Sequence, residues 1–402
     1  MRTATLAVQR DGVATALGGM LALASSLGIG RFVYTPILPA MAAGLGLSNW
    51  DAGLIASANF AGYLGGALIA AAPSLPGGRR AWFLGALALG AATTAGMALD
   101  SSMIAFLTLR LAGGVASAFV LVLGSALVLD RLAASGQSGL AAVHFAGVGL
   151  GIAVSAVLID VLQRTGADWR GLWLAAGLLA AVAVPLSAWL LPSAENRAPA
   201  PSGTAALRRG MPIQGLGALS LCHGLFGFGY VVTATFLVAV VRGAPGTRAL
   251  EAVVWIVVGL VAAPSTTLWG RAGVRWGALR AYGAACAVEA LGVAAGGLWP
   301  TPAGALLAAV LLGGTFMGLT ALGFAAARAL APDRQRRSFA LMTAGFGAGQ
   351  IAGPVVAGWL LDRTGSFAPP SLLAALALLI GAVIAVLTAA RLSHHETARI
   401  GS

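Results

Sequence analysis

Apolar runs of roughly 20 residues recur along the whole length of this 402-residue chain. A helix needs about 20 apolar residues to cross the hydrocarbon core of a bilayer, which is about 30 Å thick. The runs therefore predict an all-α polytopic membrane protein with twelve transmembrane helices, at about 14–41, 49–72, 81–99, 102–128, 139–162, 170–191, 213–241, 250–270, 278–298, 303–327, 339–361 and 370–390.

The composition separates this prediction from the alternative of a soluble helical bundle. Hydrophobic residues make up 59% of the chain and charged residues only 9%, and the mean hydropathy is +0.91. A soluble protein carries about 25% charged residues, so the composition excludes the soluble bundle.

The distribution of arginine predicts the orientation. The 24 basic residues are all arginine, and the formal net charge is +12. If the N-terminus is cytoplasmic, seventeen arginines fall in the cytoplasmic connections and termini and five on the outside, as the positive-inside rule requires. We therefore expect a multi-pass protein of the bacterial inner membrane with both termini in the cytoplasm. The basic charge then reflects topology and indicates no nucleic-acid partner.

One linker divides the twelve spans into two sets of six. Residues 192–212, "PSAENRAPAPSGTAALRRGMP", are rich in Pro, Ala and Ser, which predicts a flexible segment. We expect an N-terminal six-helix bundle at 1–191, a cytoplasmic linker at 192–212 and a C-terminal six-helix bundle at 213–402.

The two sets of six spans repeat in sequence. "GIGRFVYT" (28–35) aligns with "GFGYVVTA" (227–234), the "GG" at 113–114 with that at 313–314, and "GVGLG" (147–151) with "GFGAG" (345–349). "RTG" follows at 164–166 and 363–365, so four matches share an offset of about 199 residues. An offset of six spans keeps the helix direction, which predicts two bundles related by a parallel pseudo-twofold axis.

The layout and several motifs resemble the major facilitator superfamily (MFS). The 6+6 layout, the central cytoplasmic loop and "RLAGGVASA" (110–118) carry the broad resemblance. The chain is more narrowly similar to the YbfB/YjiJ-type permeases in "GIGRFVYTPILPAM", "ANFAGYLGGAL", "HFAGVGLGI", "GTFMGLTALGFAAAR" and "AGFGAGQIAGPVVAG". The resemblance implies a secondary transporter whose first, fourth, seventh and tenth helices line a central cavity.

The loop after the second span departs from the superfamily pattern. Gly78, Arg79 and Arg80 are present, but the usual aspartate is missing, and the equivalent loop at 268–277 also lacks an acid. We therefore expect gating to depend on arginines at helix C-termini or on other carboxylates.

Two arginines lie inside the predicted spans. Arg31 and Arg110 each cost about 2.5–3.5 kcal/mol at the centre of a membrane helix, and no Asp or Glu lies in the membrane part of the first six spans to neutralise them. The resemblance places both in helices that line the cavity. Two unpaired guanidinium groups there predict a site for an anion, since each offers a planar fork of donors. The alternative is that they only brace backbone carbonyls.

Other polar residues at membrane depth are candidates for the same substrate-binding site. Their alternative role is hydrogen bonding between helices, and His144 could also carry a proton, because imidazole titrates near neutrality. The full predicted set is Arg31, Tyr34, Asn59, Tyr63, Arg110, His144, Tyr230 and Gln350. Glu289 is the one acid at membrane depth; because its helix is expected to be peripheral, a structural role is the main expectation and proton coupling the alternative.

Together these features predict a secondary active transporter of a small anionic or amphipathic solute, working by rocker-switch alternating access. Protons are the candidate coupling ion, the lipid bilayer is the surrounding partner, and the chain is expected to act as a monomer. An exporter of drugs or other hydrophobic compounds is the closest rival, and a membrane receptor or sensor is the alternative outside transport. No catalytic constellation, cofactor motif or metal-ligand spacing is found, and without lysine there is no phosphate-binding loop for ATP.

Overall fold

The computed structural model describes residues 2–72, 75, 76, 78–191 and 215–400, without the side chains of 2–10, 333, 335, 336 and 393–400. All regular elements in this part are helical. The α-helices are α1 (Arg2–Leu23), α2 (Tyr34–Leu45), α3 (Asn49–Ala70), α4 (Arg79–Gly96), α5 (Met103–Ala134), α6 (Ala141–Arg164), α7 (Trp169–Leu190), α8 (Leu216–Gly243), α9 (Glu251–Trp276), α10 (Ala278–Leu298), α11 (Pro302–Leu330), α12 (Gln335–Thr364) and α13 (Ala368–Ile400).

Twelve spans result, because α1, a π-helical segment (Ala24–Ile29) and α2 form one continuous first span. Eleven of the described spans are long and apolar enough to cross a membrane; α4 begins with Arg79 and Arg80 and is not among them. The all-α prediction with twelve helices is confirmed. Several helices run beyond the predicted ends, as α5 does to Ala134, since a helix can continue where its polar residues reach water. The predicted linker lies outside the described residues, and its flexibility stays a prediction.

The connections alternate between two faces of the molecule. We call the face with both termini and the connections at 135–140 and 277 the terminal face. The distal face carries the connections at 46–48, 97–102, 165–168, 244–250, 299–301 and 365–367. The outer surface between the faces exposes large apolar side chains, among them Ile104, Leu178, Trp189 and Leu291, as expected of a surface against lipid.

Glycine contacts repeat in the two bundles, α1–α7 and α8–α13. In each bundle, glycines of the fifth span have main-chain atoms of the first span where a Cβ would stand, so the two helices approach closely. The matching contacts are Gly147 with Met20, Gly151 with Ala24, Gly345 with Ser220 and Gly349 with Gly224. Because these pairs correspond at offsets of 198 and 200 residues, they confirm the parallel repeat.

The first span is irregular where it passes the membrane middle. After the π-helical segment, the Phe32 amide donates to the Leu27 carbonyl at 3.2 Å, and the Thr35 amide donates to the Phe32 carbonyl at 3.3 Å. The Thr35 amide therefore does not serve the Arg31 carbonyl, as it would in an α-helix. This leaves the carbonyl free to accept from another helix.

The two bundles pack against each other mainly through α3 with α12 and α6 with α9. The hydrogen bonds between the bundles in the described part of the chain lie towards the distal face. Thr35 Oγ1 donates to the Ala234 carbonyl at 2.6 Å, and Ser57 Oγ donates to the Ile351 carbonyl at 2.7 Å. Asp362 accepts from the Trp50 amide at 2.8 Å and from the amide of Asn49 at 3.1 Å. The structure is therefore closed at the distal face.

Candidate functional site

Arg31 lies in the irregular stretch between the π-helical segment and α2, and its residue surface is only 5% exposed. Its Cζ atom is 4.5 Å from the ring centroid of Phe60 and 4.4 Å from that of Tyr63, both on α3. The Phe32 ring is 5.5 Å away. The guanidinium group is therefore surrounded by aromatic rings, which stabilise a cation through their π faces without neutralising it.

One edge of the Arg31 guanidinium is unused. Its Nε and Nη2 atoms are buried and have no hydrogen-bond partner. None of the ion pairs in the described part of the chain involves Arg31. Nε and Nη2 share one side of the group, and two parallel N–H donors in this arrangement fit the two oxygens of a carboxylate or phosphate. This edge is the clearest candidate for contact with an anionic group.

Tyr230 and Gln350 face this region from the other bundle. Gln350 Nε2 donates to Tyr230 Oη, while Gln350 Oε1 is buried without a partner. The Tyr230 hydroxyl lies close enough to Arg31 and Tyr63 to interact electrostatically with both. The two bundles thus place unused donors and an unused acceptor in one buried region. We call Arg31, Phe60, Tyr63, Tyr230 and Gln350 the central site.

Aromatic rings extend the central site on the side of the second bundle. The Tyr230 ring is nearly parallel to the rings of Phe316 and Phe346, at centroid distances of 5.9 and 5.8 Å. Phe316 also meets Phe32 of the first span at 5.9 Å. The walls of the region are therefore apolar, apart from the few polar groups described above.

Arg110 on α5 has a different environment from Arg31. Its Nη1 donates to the Gly30 carbonyl at 3.0 Å and its Nη2 to the Arg31 carbonyl at 3.2 Å. Its Cζ lies 5.1 Å from the ring centroid of Tyr34 and 5.9 Å from that of Trp173. Arg110 therefore donates to the backbone carbonyls of the irregular stretch, and these hydrogen bonds fix the main chain at Arg31.

The remaining predicted residues lie beside the central site or away from it. Tyr34 Oη donates to the Ala52 carbonyl at 2.9 Å, and Asn59 Nδ2 donates to the Arg110 carbonyl at 2.9 Å. His144 is buried in the first bundle, with Nε2 at 3.0 Å from Ser125 Oγ. It packs against Gly19, twelve residues before Arg31 and therefore about 18 Å away along the span. The structure does not bring His144 to the central site.

Sequence reasoning included Tyr63 but missed Phe32 and Phe60 around Arg31, and it missed the contact of Asp362. Phe60 stands between the predicted Asn59 and Tyr63, so helical spacing could have included it. Asp362 of the second bundle provides an anionic cap for the N-terminus of α3 in the first bundle. Because the usual loop aspartate is missing, we expect contacts of this kind from other carboxylates. Arg80 donates to the Ala188 and Leu191 carbonyls at the end of α7, within one bundle.

Glu289 is more deeply placed than expected for a peripheral helix. Its residue surface is 0% exposed, and neither carboxyl oxygen has a hydrogen-bond partner. It interacts electrostatically with Tyr230, Tyr282 and Cys286. The side chain therefore points into the second bundle, on the side of the central site, because α10 turns its polar face inward.

The fold and its buried, two-bundle site define the class of membrane transporters with the MFS fold. Similar solved structures include the nucleoside transporter NupG, with a TM-score of 0.71 and 16% identity, covering 94% of this chain and 98% of that one. A bacterial homologue of the human lysosomal transporter Spinster, inward-facing and occupied, gives a TM-score of 0.68 and 17% identity, covering 94% and 96%. At these identities the similarity shows the fold alone.

Residues 23–386 match the family described as "Uncharacterised MFS-type transporter YbfB". Because the match covers most of the chain, the protein belongs to this family and is a multi-pass MFS-type membrane transporter. No curated protein matches the sequence significantly.

Proposed function

We propose that the protein is a secondary active transporter that moves a small anionic or amphipathic solute across the bacterial inner membrane, coupled to the proton gradient. The observation that carries the proposal is the unused Nε–Nη2 edge of Arg31. A buried guanidinium without a counter-ion is costly inside a membrane, and an anionic solute supplies the missing charge.

The other residues of the central site contact the remaining parts of such a solute. Gln350 Oε1 accepts a hydrogen bond from it, and the rings of Phe60, Tyr63 and Tyr230 contact its apolar part. In this proposal Arg110 and Tyr34 position the backbone around Arg31 and do not touch the solute. Asn59 Oδ1 also lacks a partner, and solute binding by Asn59 or His144 stays a prediction.

Alternating exposure of the site to the two faces follows from the arrangement of the bundles. The hydrogen bonds between them in the described part of the chain are confined to the distal half, so rocking the bundles apart there breaks few hydrogen bonds. In this proposal the distal face is periplasmic and both termini are cytoplasmic, as the arginine distribution predicts. The chain works as a monomer, since both halves of the site come from one chain.

An exporter of hydrophobic compounds is the second candidate. The parallel rings of Phe316, Tyr230 and Phe346 favour it, because aromatic walls bind apolar solutes without a charge. The two candidates differ in what the solute must carry: an anionic solute needs Arg31, whereas a neutral or cationic drug does not.

Benzoate is a suitable probe, because it combines one carboxylate with an aromatic ring. Its binding to the purified protein is measured by thermal shift, since a ligand stabilises by RT ln(1 + [L]/Kd). Benzamide and benzylamine serve as neutral and cationic comparisons. We expect benzoate alone to stabilise the protein.

Arg31→Ala and Arg31→Lys should both weaken benzoate binding, by about 30- to 5000-fold, because truncating one partner of a buried charge pair costs about 2–5 kcal/mol. Lysine keeps the charge but loses the two-donor fork. Arg164→Ala is the matched control, since Arg164 is exposed at the distal face and pairs with Asp160 in its own helix. Stabilisation by benzylamine or benzamide that survives Arg31→Ala would favour the exporter and contradict the anion proposal.

A further inference from the structure

We infer that Glu289 is the proton-binding residue of this transporter, and that protonation of its carboxyl and binding of an anion at Arg31 favour each other. Proton and anion are then carried in the same direction. The inference rests on the proposed function for the identity of the solute. The proton site is argued from other residues, which belong to the second bundle.

The surroundings of Glu289 fit a neutral carboxylic acid. The side chain is fully buried, and no arginine is among the groups that interact with it. An ionised carboxylate without a counter-ion is strongly unfavourable in such a place. Glu289 therefore carries its proton in the state that the structure shows.

A neighbouring hydroxyl group does not offer Glu289 a proton. Thr315 on α11 interacts with the carboxyl group, but its hydroxyl donates to the Leu311 carbonyl at 2.6 Å. A hydroxyl has one proton, so Thr315 can offer Glu289 only an acceptor. Neither carboxyl oxygen is hydrogen-bonded in this structure, and a hydrogen bond between the two side chains would take its proton from Glu289.

The titratable groups around Glu289 come from two helices. Tyr282 and Cys286 lie on α10 itself, and Tyr230 on α8 interacts with it electrostatically. The middle sections of α9, α11 and α13, which also pack against α10, contain no titratable residue in the sequence. A charge on Glu289 is therefore not compensated inside the second bundle.

Two polar side chains lie between Glu289 and the terminal face. Tyr282 is two helical turns before Glu289 on the same helix, and its hydroxyl is 3.1 Å from His223 Nδ1. His223 Nε2 is buried without a partner. When Glu289 releases its proton, Tyr282 and His223 are two groups on this side that can accept a proton and pass it on.

Tyr230 connects the proton site to the central site. It interacts electrostatically with both Arg31 and Glu289 and is hydrogen-bonded to Gln350. When Glu289 loses its proton, its negative charge opposes the charge of an anion at Arg31. When Glu289 is protonated this repulsion is absent, so the anion binds together with one proton and leaves with it.

The test measures benzoate affinity of the purified, full-length protein by thermal shift between pH 5.5 and 8.5, where benzoate stays ionised. The wild type should bind about tenfold more weakly at the alkaline end, as expected for like charges at an effective dielectric constant of about 20. Glu289→Gln should keep the acidic-end affinity at every pH. The control Asp130→Asn, at an exposed position near the terminal face, should follow the wild type.

Two results would overturn the inference: a wild-type affinity that does not change with pH, or a Glu289→Gln variant with the wild-type pH dependence. A second measurement tests the inference even if the variant folds poorly or benzoate does not bind. Infrared spectra of the solute-free wild type should show a protonated carboxyl band that fades as the pH rises through the same range. A band that persists to the alkaline end shows that Glu289 never releases its proton, whereas absence of benzoate binding alone counts against the anion site.

Discussion

Two arginines at membrane depth in one bundle have opposite environments. Arg110 donates through Nη1 and Nη2 to carbonyls of the first span and leaves only Nε without a partner, whereas both Nε and Nη2 of Arg31 have none. The sequence predicts both as intramembrane cations, because each interrupts an apolar run. It cannot tell which one is paired, since the carbonyls that Arg110 serves become free only through the irregular path of residues 30–33.

The contrast predicts opposite effects on stability. Arg110→Ala should lower the free energy of unfolding by about 2–6 kcal/mol, because two buried carbonyls lose their donors at about 1–3 kcal/mol each. Arg31→Ala should leave stability unchanged or raise it, because an unpaired membrane charge is removed.

Thermal unfolding of both variants in the same detergent, without solute, provides the comparison. A lower melting temperature for Arg31→Ala than for Arg110→Ala would show that Arg31 is the structural brace, and the roles of the two residues would have to be exchanged.

At the scale of the helices, α3 and α12 hold the distal face closed. Asp362 on α12 caps the N-terminus of α3 through the Asn49 and Trp50 amides, where a negative charge is favoured by the helix dipole. Gly53 packs directly against the Pro354 main chain, so the two helices touch without intervening side chains. We therefore expect the contact between α3 and α12 to control closure of the distal face.

Asp362→Ala should open the distal face more often. The lost cap and charged hydrogen bonds are worth about 1–3 kcal/mol, which raises the ratio of open to closed protein by about 5- to 150-fold. A cysteine at the buried position Leu38, in protein with both native cysteines replaced by serine, should then react faster with a charged maleimide.

Asp160→Ala is the matched control for this experiment, since Asp160 lies towards the same face but pairs only with Arg164 of its own helix. Equal labelling rates in Asp362→Ala and Asp160→Ala would mean that the Asp362 cap does not contribute to closure.

For the molecule as a whole, the twelve spans and the parallel repeat could be predicted from the sequence. Span positions follow from local hydropathy, and the repeat is visible in matching glycines such as Gly147 and Gly345. The side of each helix that faces the protein interior could not be predicted, because most of these helices carry apolar residues on all sides. Helix order therefore predicts only that the helix of Glu289 is peripheral, and the inward direction of its side chain is found in the structure. The cap by Asp362 depends on contact between the two bundles, which no local pattern encodes.

The central claim is that one anion, bound at Arg31 between the bundles, controls how they move. Spin labels at Leu47 and Ser366, on opposite bundles at the distal face, report the distance between them by double electron–electron resonance. We predict a short and a long distance, with benzoate increasing the short fraction, because the distal-closed state brings Arg31 together with Tyr230 and Gln350. In Arg31→Ala benzoate should have no effect. A single distance unaffected by benzoate, or an undiminished response in Arg31→Ala, would contradict the claim.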